Sequence, residues 1–350
     1  MDDDVYSSQR SATWRLGLPG KRTVLRFSLM ALSALSVACL ISTFLSSLVL
    51  HLSAAEQFVG YIPAPSNETS THYADPALNT SSILSTGSSR IGKVRILFGD
   101  HNEVYERALR SHDAHNKFHG YAQFVLREKL LSGLWSKPAY ILSTILQEMA
   151  KPVEDRLQWL FWFDRDIVIM NPKIPLEIFL PPEPDFSHIH LLVTNDQNGL
   201  NNGAFAIKVN DWSVKLLAFI LALRKYRPDV ELKYSEQSAL EYLIQDDRWF
   251  KASTMHVPQR WFNAYRDPRG DDGVRSPDRK PSPNYVKEGD LLIHFAGGKV
   301  PENKMKRMTE WMDLADQHLP QWEKELNQTS YVSEVREFWS KQAGKKKVHP

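Results

Sequence analysis

Trp159-Leu-Phe-Trp-Phe163 is an unbroken apolar run in which every residue but Leu160 is aromatic. It is too short for a stable helix, and it lacks the alternation of a strand that shows one face to water. It therefore reads as a central strand of a parallel sheet, buried on both faces. A strand of that kind needs apolar cover on two sides. A chain of 350 residues, 42% of them hydrophobic, is long and apolar enough to supply it.

The rest of the pattern agrees. Lys93–Phe98, Ile189–Thr194, Ala204–Val209, Ala252–Val257 and Asp290–Phe295 read as strands. Between them Glu103–Tyr121, Lys137–Ala150, Trp212–Lys225 and Ser235–Ile244 have helical spacing, and Pro138 stands near a helix start, where its missing N–H costs little. Strands alternating with helices predict an α/β domain with a mostly parallel sheet. Tyr265–Gly289 is rich in Pro, Gly, Asp and Arg and reads as a long surface loop, and Lys304–Gln342 as a helical tail.

A second constraint lies upstream. No Lys, Arg, Asp or Glu occurs from Phe27 to Leu52. As a helix this stretch would span roughly 39 Å, more than the roughly 30 Å of a bilayer core. Residues 1–26 carry Arg10, Arg15, Lys21, Arg22 and Arg26 against Asp2, Asp3 and Asp4. Basic residues before a span keep the amino terminus in the cytoplasm. The expected organisation is a cytoplasmic tail at 1–26, a signal-anchor at 27–52, a flexible stem at 53–90 and a lumenal domain at 91–345. A signal peptide cleaved near Ala54-Ala55 is the alternative, but the apolar stretch far exceeds the usual signal core. Sequons at Asn67, Asn79 and Asn327 all fall on the expected lumenal side. The formal charge is +2, and residues 1–26 carry all of that excess. It is a topology signal, and the chain has no footprint of a nucleic-acid binder. The one cysteine, Cys39, lies inside the apolar stretch, so the lumenal domain contains no thiol.

Four clusters carry chemistry. Asp164-Arg165-Asp166 directly follows the central strand. Ligands of open α/β sheets gather at the carboxyl ends of strands. If the backbone stays extended, both carboxylates face one way, suited to a hard divalent ion, and Arg165 faces the other. His294-Phe-Ala-Gly297-Gly298-Lys299 delivers a histidine into a glycine turn followed by a lysine, an arrangement that lets backbone approach a phosphate. The alternative is an ordinary strand-end turn. Asn198-Gly-Leu-Asn201-Asn202-Gly203-Ala-Phe205 offers amides, which both donate to and accept from sugar hydroxyls; it could equally be a glycine-rich turn. Ser235-Glu236-Gln237-Ser238 offers a carboxylate and an amide, or simply a helix N-cap. Two weaker readings remain. His112, His115 and His119 share one helical face and could chelate zinc, and Trp261, Phe262 and Tyr265 could stack on acceptor sugars or pack in the core.

In this order the clusters resemble glycosyltransferase family 34, which includes fungal α-1,2-galactosyltransferases, fungal mannan-elongating α-mannosyltransferases and plant xyloglucan xylosyltransferases. The matching stretches are His119-Gly-Tyr121, Trp135-Ser-Lys137, the run from Trp159 to Pro172, Gly199–Phe205, Glu236–Leu240, Val257–Tyr265 and His294–Lys299. The resemblance implies a GT-A type, Rossmann-like nucleotide-sugar-binding domain, Golgi residence and Mn2+ dependence with retention of anomeric configuration. By position it makes Asp164, Asp166 and His294 the metal ligands. Asp164, Asn201, Asn202, Gly203, Gly297, Gly298 and Lys299 would face the donor and its sugar, and Glu236, Gln237 and Lys299 would serve catalysis. Glu236 and Arg165 depart from the family pattern, since relatives commonly have Asp at the first position and a small or acidic residue at the second.

The implied donor is UDP-galactose, the acceptor a mannosylated glycan. The alternatives are an α-mannosyltransferase using GDP-mannose within a complex of related glycosyltransferases, and a non-catalytic, sugar-binding scaffold on the same fold. Retention could arise from front-face attack by the acceptor or, as the lesser version, through Glu236 as a covalent nucleophile.

Overall fold

A computed structural model describes residues 89–267, 282–297 and 301–348. The expected tail, apolar span and most of the stem, with Asn67, Asn79, Gly298 and Lys299, lie outside the described residues. Among the described residues no helix is long and apolar enough to cross a membrane.

The elements in chain order are β1 (Ile91–Ile96), α1 (Glu103–His119), β2 (Ala122–Leu126), α2 (Ser136–Ala150), β3 (Trp159–Phe163), β4 (Ile167–Ile169), β5 (Leu191–Asp196), β6 (Gly199–Lys208), α3 (Asp211–Tyr226), α4 (Glu236–Asp246), α5 (Arg248–Ala252), β7 (Thr254–His256), β8 (Leu292–His294), α6 (Pro301–Ala315) and α7 (Tyr331–Val348). The main sheet runs β2-β1-β3-β6-β5-β7, and β4 pairs with β8 in a separate two-stranded sheet. β1–β2, β1–β3 and β5–β7 are parallel, whereas β6 runs antiparallel to both β3 and β5. The sheet is thus mostly parallel, as expected, but its central strand β3 has a parallel neighbour on one side only.

β3 is buried along its whole length. Phe161 and Phe163 face a core that includes Phe179, Trp261, Phe262 and Tyr331, while Leu160 and Trp162 face one built with α2, α3 and α4. Strand alternation sends successive side chains to opposite faces, so a run that is apolar throughout needs two cores. Helix α1 shows local sequence fixing an element. The Asn102 side chain accepts from the N–H groups of Val104 and Tyr105, and Gly120 closes the far end at φ 72°, where glycine carries no penalty.

Three expectations need correction. The Asn198–Phe205 run is not a turn, because β6 already begins at Gly199, and Asp196 pairs with Gly199 across a tight hairpin. The first half of that strand carries Asn201 and Asn202, whose side chains hydrogen-bond to neighbouring protein groups, so hydropathy does not mark it. The Asp164–Asp166 segment is not extended: the Ile167 N–H donates to the Asp164 carbonyl at 3.2 Å, closing a turn between β3 and β4. The helical tail is two helices, α6 and α7, separated around Pro320, whose ring disfavours helix at the preceding residue.

Candidate metal and sugar site

The turn at Asp164–Asp166 is held at both ends by sheet pairing. The Asp164 N–H donates to the Gly203 carbonyl at 2.8 Å, continuing the β3–β6 ladder in which Phe163 faces Ala204. Beyond it Ile167 pairs with His294, and the Phe295 N–H donates to the Asp166 carbonyl at 3.1 Å. Arg95, buried beneath the turn, donates to the carbonyls of Asp164 and Ile167 at 3.2 and 3.5 Å. Burial lowers its pKa to about 10, against the pull of Asp166 and Asp164.

This bracketing gathers Asp164, Asp166 and His294, with one ligand atom of each within 4.8 Å of the others. Arg165 turns away and lies over the ring of Tyr105 at 4.3 Å. The Asp166 Oδ1 stands 3.4 Å from His294 Nε2, and its Oδ2 accepts from Lys304 at 2.5 Å. Burial alone would raise the Asp166 carboxyl, but His294 and Lys304 outweigh it and hold it well below the usual carboxylate range. The Asp164 Oδ1 accepts from the Trp162 indole at 2.7 Å and from Lys137 at 3.3 Å.

Two carboxylates and an imidazole are a donor set suited to a divalent ion such as Mn2+. The packing fits that use. A β-carbon on Gly203 would sit 2.2 Å from the His294 ring, so only glycine leaves the ring its place. His294 Nδ1 is engaged by Asn263 at 2.6 Å, leaving Nε2 toward the carboxylates. Hydrogen bonding of the other ring nitrogen is the usual support of a metal-ligating histidine.

Beside these residues lies a second group. Lys137, from the first turn of α2, donates to the Asn202 carbonyl at 2.5 Å and to its Oδ1 at 2.9 Å, and stands 4.0 Å from Glu236 Oε1. Asn202 Nδ2 reaches Glu236 Oε1 at 3.5 Å, and Gln237 Oε1 accepts from the Asn202 N–H at 3.1 Å. Glu236 Oε2 is buried and has no protein partner. Burial pushes the Glu236 carboxyl up, opposed chiefly by Lys137. The neighbouring Ser235, at φ 53°, gives α4 no side-chain cap. Asn201 is engaged internally, accepting from the Gly203 N–H and donating to Asp196 and Tyr265. Gly297 follows His294 at φ 69°, with open space where a β-carbon would be.

The weaker candidates resolve by packing. His112, His115 and His119 each turn Nε2 to a main-chain carbonyl, of Ile167, Ile174 and Pro172 at 3.3, 2.8 and 2.9 Å, so they tie α1 to the chain after the aspartates and form no zinc site. Trp261 and Phe262 are fully buried core residues, and the Tyr265 hydroxyl donates to Asp196 at 2.7 Å. Sequence reasoning gave no role to Lys137, Arg95, Asn263 or Lys304. Lys137 and Asn263 stand inside stretches quoted above for the family resemblance, but Arg95 and Lys304 left no signal.

Residues 180–305 match the profile of the galactosyl transferase GMA12/MNN10 family. The chain is a distant homologue of that family. The match runs from before β5 into α6, so it includes Asn201, Glu236 and His294 but not the two aspartates. An uncharacterized α-1,2-galactosyltransferase of Schizosaccharomyces pombe, C637.06, is 25% identical over 209 residues, 52% of this chain and 57% of its own. The probable α-1,6-mannosyltransferase MNN10 of Saccharomyces cerevisiae is 25% identical over 249 residues, 61% of each chain. The chain thus spans about 57 to 61% of the length of these curated family relatives. Among solved structures, a glycosyltransferase involved in glycosylation of the major capsid of PBCV-1 aligns at a TM-score of 0.44 and 13% identity, over 63% of this chain and 98% of that one.

Proposed function

We propose that this chain is a metal-dependent, retaining glycosyltransferase of GT-A type. It transfers a hexose, galactose from UDP-galactose, in α linkage to mannose-containing glycans. In this reading residues 27–52 anchor it in the Golgi membrane and residues 91–345 work in the lumen. The observation that carries the enzymatic reading is the convergence of Asp164, Asp166 and His294 in a distant homologue of a galactosyl transferase family.

Asp164, Asp166 and His294 would hold the ion, His294 through its Nε2. A divalent cation there would supply Lewis-acid charge to the leaving diphosphate. Lys304, already beside Asp166, adds a fixed positive charge on the same side. Lys137 and Asn202 hold Glu236 beside Asp164, where a sugar hydroxyl could meet the partnerless Glu236 Oε2. Glu236 Oε1 is already held by Lys137 and Asn202, and front-face attack, with the leaving phosphate taking the acceptor proton, is the favoured course over a covalent Glu236 intermediate.

The test is a screen of UDP- and GDP-sugars against mannosyl acceptors with Mn2+. Transfer from UDP-galactose that is lost in D164A and D166A supports the proposal. The similarity to MNN10 makes GDP-mannose the competing donor, and transfer from it alone would replace galactose with mannose. Neither transfer nor hydrolysis by well-folded protein would favour the sugar-binding scaffold.

A further inference from the structure

We infer that Asn263 is a positioning residue, which sets the His294 ring with its Nε2 lone pair toward Asp166. The inference rests on the metal-dependent reading above and deepens it. Its starting point is a main-chain N–H, which has neither tautomer nor flip. The Gly203 N–H donates to one amide atom of Asn201 at 3.0 Å, so that atom is the oxygen, Oδ1. Asn263 approaches the same oxygen at 2.9 Å and must offer its nitrogen there. That nitrogen also donates to Thr194 Oγ1 at 2.8 Å. The other end of the amide is then the carbonyl oxygen, and it lies 2.6 Å from His294 Nδ1. A carbonyl only accepts, so Nδ1 carries the hydrogen. In a neutral imidazole the lone pair then belongs to Nε2, the atom 3.4 Å from Asp166 Oδ1.

The amide has little freedom to turn over. Asn263 is fully buried, its N–H donates to the Gln259 carbonyl at 2.9 Å, and its own carbonyl accepts from Gln259 Nε2 at 3.1 Å. Flipping it would set two oxygens against each other at Asn201, whose Oδ1 is fixed by the Gly203 N–H. Such a mismatch in a closed interior is costly. Asn263 touches neither donor nor acceptor in this account. It acts through His294, and Asn201 acts through Asn263.

Two measurements on the full-length chain test this. The first is nitrogen-15 NMR of histidine-labelled, metal-free wild type, followed upward in pH until the His294 signals no longer change, with His294 assigned by the signal missing in H294A. The expected tautomer has hydrogen on Nδ1; hydrogen on Nε2 overturns the inference. The second is a Mn2+ titration followed by the electron spin resonance of the free ion. N263L removes the acceptor and should weaken Mn2+ binding by about 10- to 100-fold. N263D keeps an acceptor at Nδ1 but sets an oxygen against Asn201 Oδ1, so it should bind Mn2+ less tightly than wild type and more tightly than N263L. A folded N263L that binds as tightly as wild type overturns the inference, and if N263L does not fold the wild-type tautomer decides. Wild type that binds no Mn2+ at all overturns the metal-dependent reading itself. Wild type that binds Mn2+ with hydrogen on Nε2 overturns the role of Asn263 alone.

Discussion

The imidazole of His294 packs directly on the α-carbon of Gly203. A β-carbon at 203 would lie 2.2 Å from Cε1 and 3.0 Å from Nδ1 of that ring. Gly203 is not among the glycines of positive φ, so the space it leaves, not its conformation, is what the site uses. G203A should therefore push His294 off its partners in a buried setting where the ring has nowhere else to go. The expected outcome is Mn2+ affinity reduced by roughly 10- to 100-fold, the scale of a lost ligand support, with transferase activity falling alongside. Mn2+ titration of the purified variant, with its far-UV circular dichroism as a control for folding, checks this.

Lys137 is the one cation between Asp164 and Glu236 at 3.3 and 4.0 Å among their described ion pairs. Removing it strands a buried carboxyl. K137M alone should cost about 3 kcal/mol of stability, at the lower end for breaking a buried pair. E236Q in the same chain removes the stranded charge and should restore part of that loss. The two substitutions should thus be non-additive, as read from urea unfolding of both single variants and the double.

Acid should destabilise the fold through α1. His112 and His115 lie in the interior, and burial lowers the pKa of both below the ordinary 6.5, reinforced by Arg95 and Lys93 at His112 and by Lys93 at His115. The unfolded chain then binds protons that the folded chain refuses. The stability that these two histidines contribute is complete above about pH 6.5 and falls as pH drops below it. Unfolding midpoints between about pH 5 and 7.5 should show this slope. H112Q, which keeps an N–H for the Ile167 carbonyl but cannot titrate, should flatten it.

Asn327 tests the proposed topology. It is exposed on the short turn Leu326–Gln328, and the sequon threonine, Thr329, closes that turn by donating to the Leu326 carbonyl at 2.7 Å. If residues 91–345 are lumenal, endoglycosidase treatment should increase the gel mobility of the protein expressed in a eukaryotic secretory pathway. In a background lacking Asn67 and Asn79, N327Q should abolish that shift. An unglycosylated Asn327 in that background would count against the lumenal assignment.

Much of the fold was legible where local chemistry decides it. The β3 run could only be a strand with two cores, and Asn102 and Gly120 mark the two ends of α1. The set of Asp164, Asp166 and His294 was legible as residue types, but the reason for its geometry was not. The aspartates were expected to align along an extended strand. They are brought together by a turn whose two ends belong to different sheets, a long-range outcome that no local pattern encodes. The start of β6 is hard to read because Asn201 and Asn202 are polar residues satisfied by distant protein partners, not by an apolar core. Lys137 and Arg95 escaped notice because a buried cation looks, in sequence, like any surface lysine or arginine. Asn263 gains its meaning only from Asn201 and His294, which lie far from it along the chain.

Asp164 directly follows β3 of the six-stranded sheet, whereas Asp166 directly precedes β4 and His294 is the last residue of β8, its partner in the second sheet. An ion gripping all three would bind the two sheets to each other as well as binding substrate. From residue 91 onward the chain has no cysteine with which to make any other cross-link. Metal affinity would then be folding stability: at a hundredfold excess over the dissociation constant, such a clasp is worth about 2.7 kcal/mol. The same ion that readies the donor would act as the domain's rivet, and starving the protein of metal would loosen its architecture together with its chemistry.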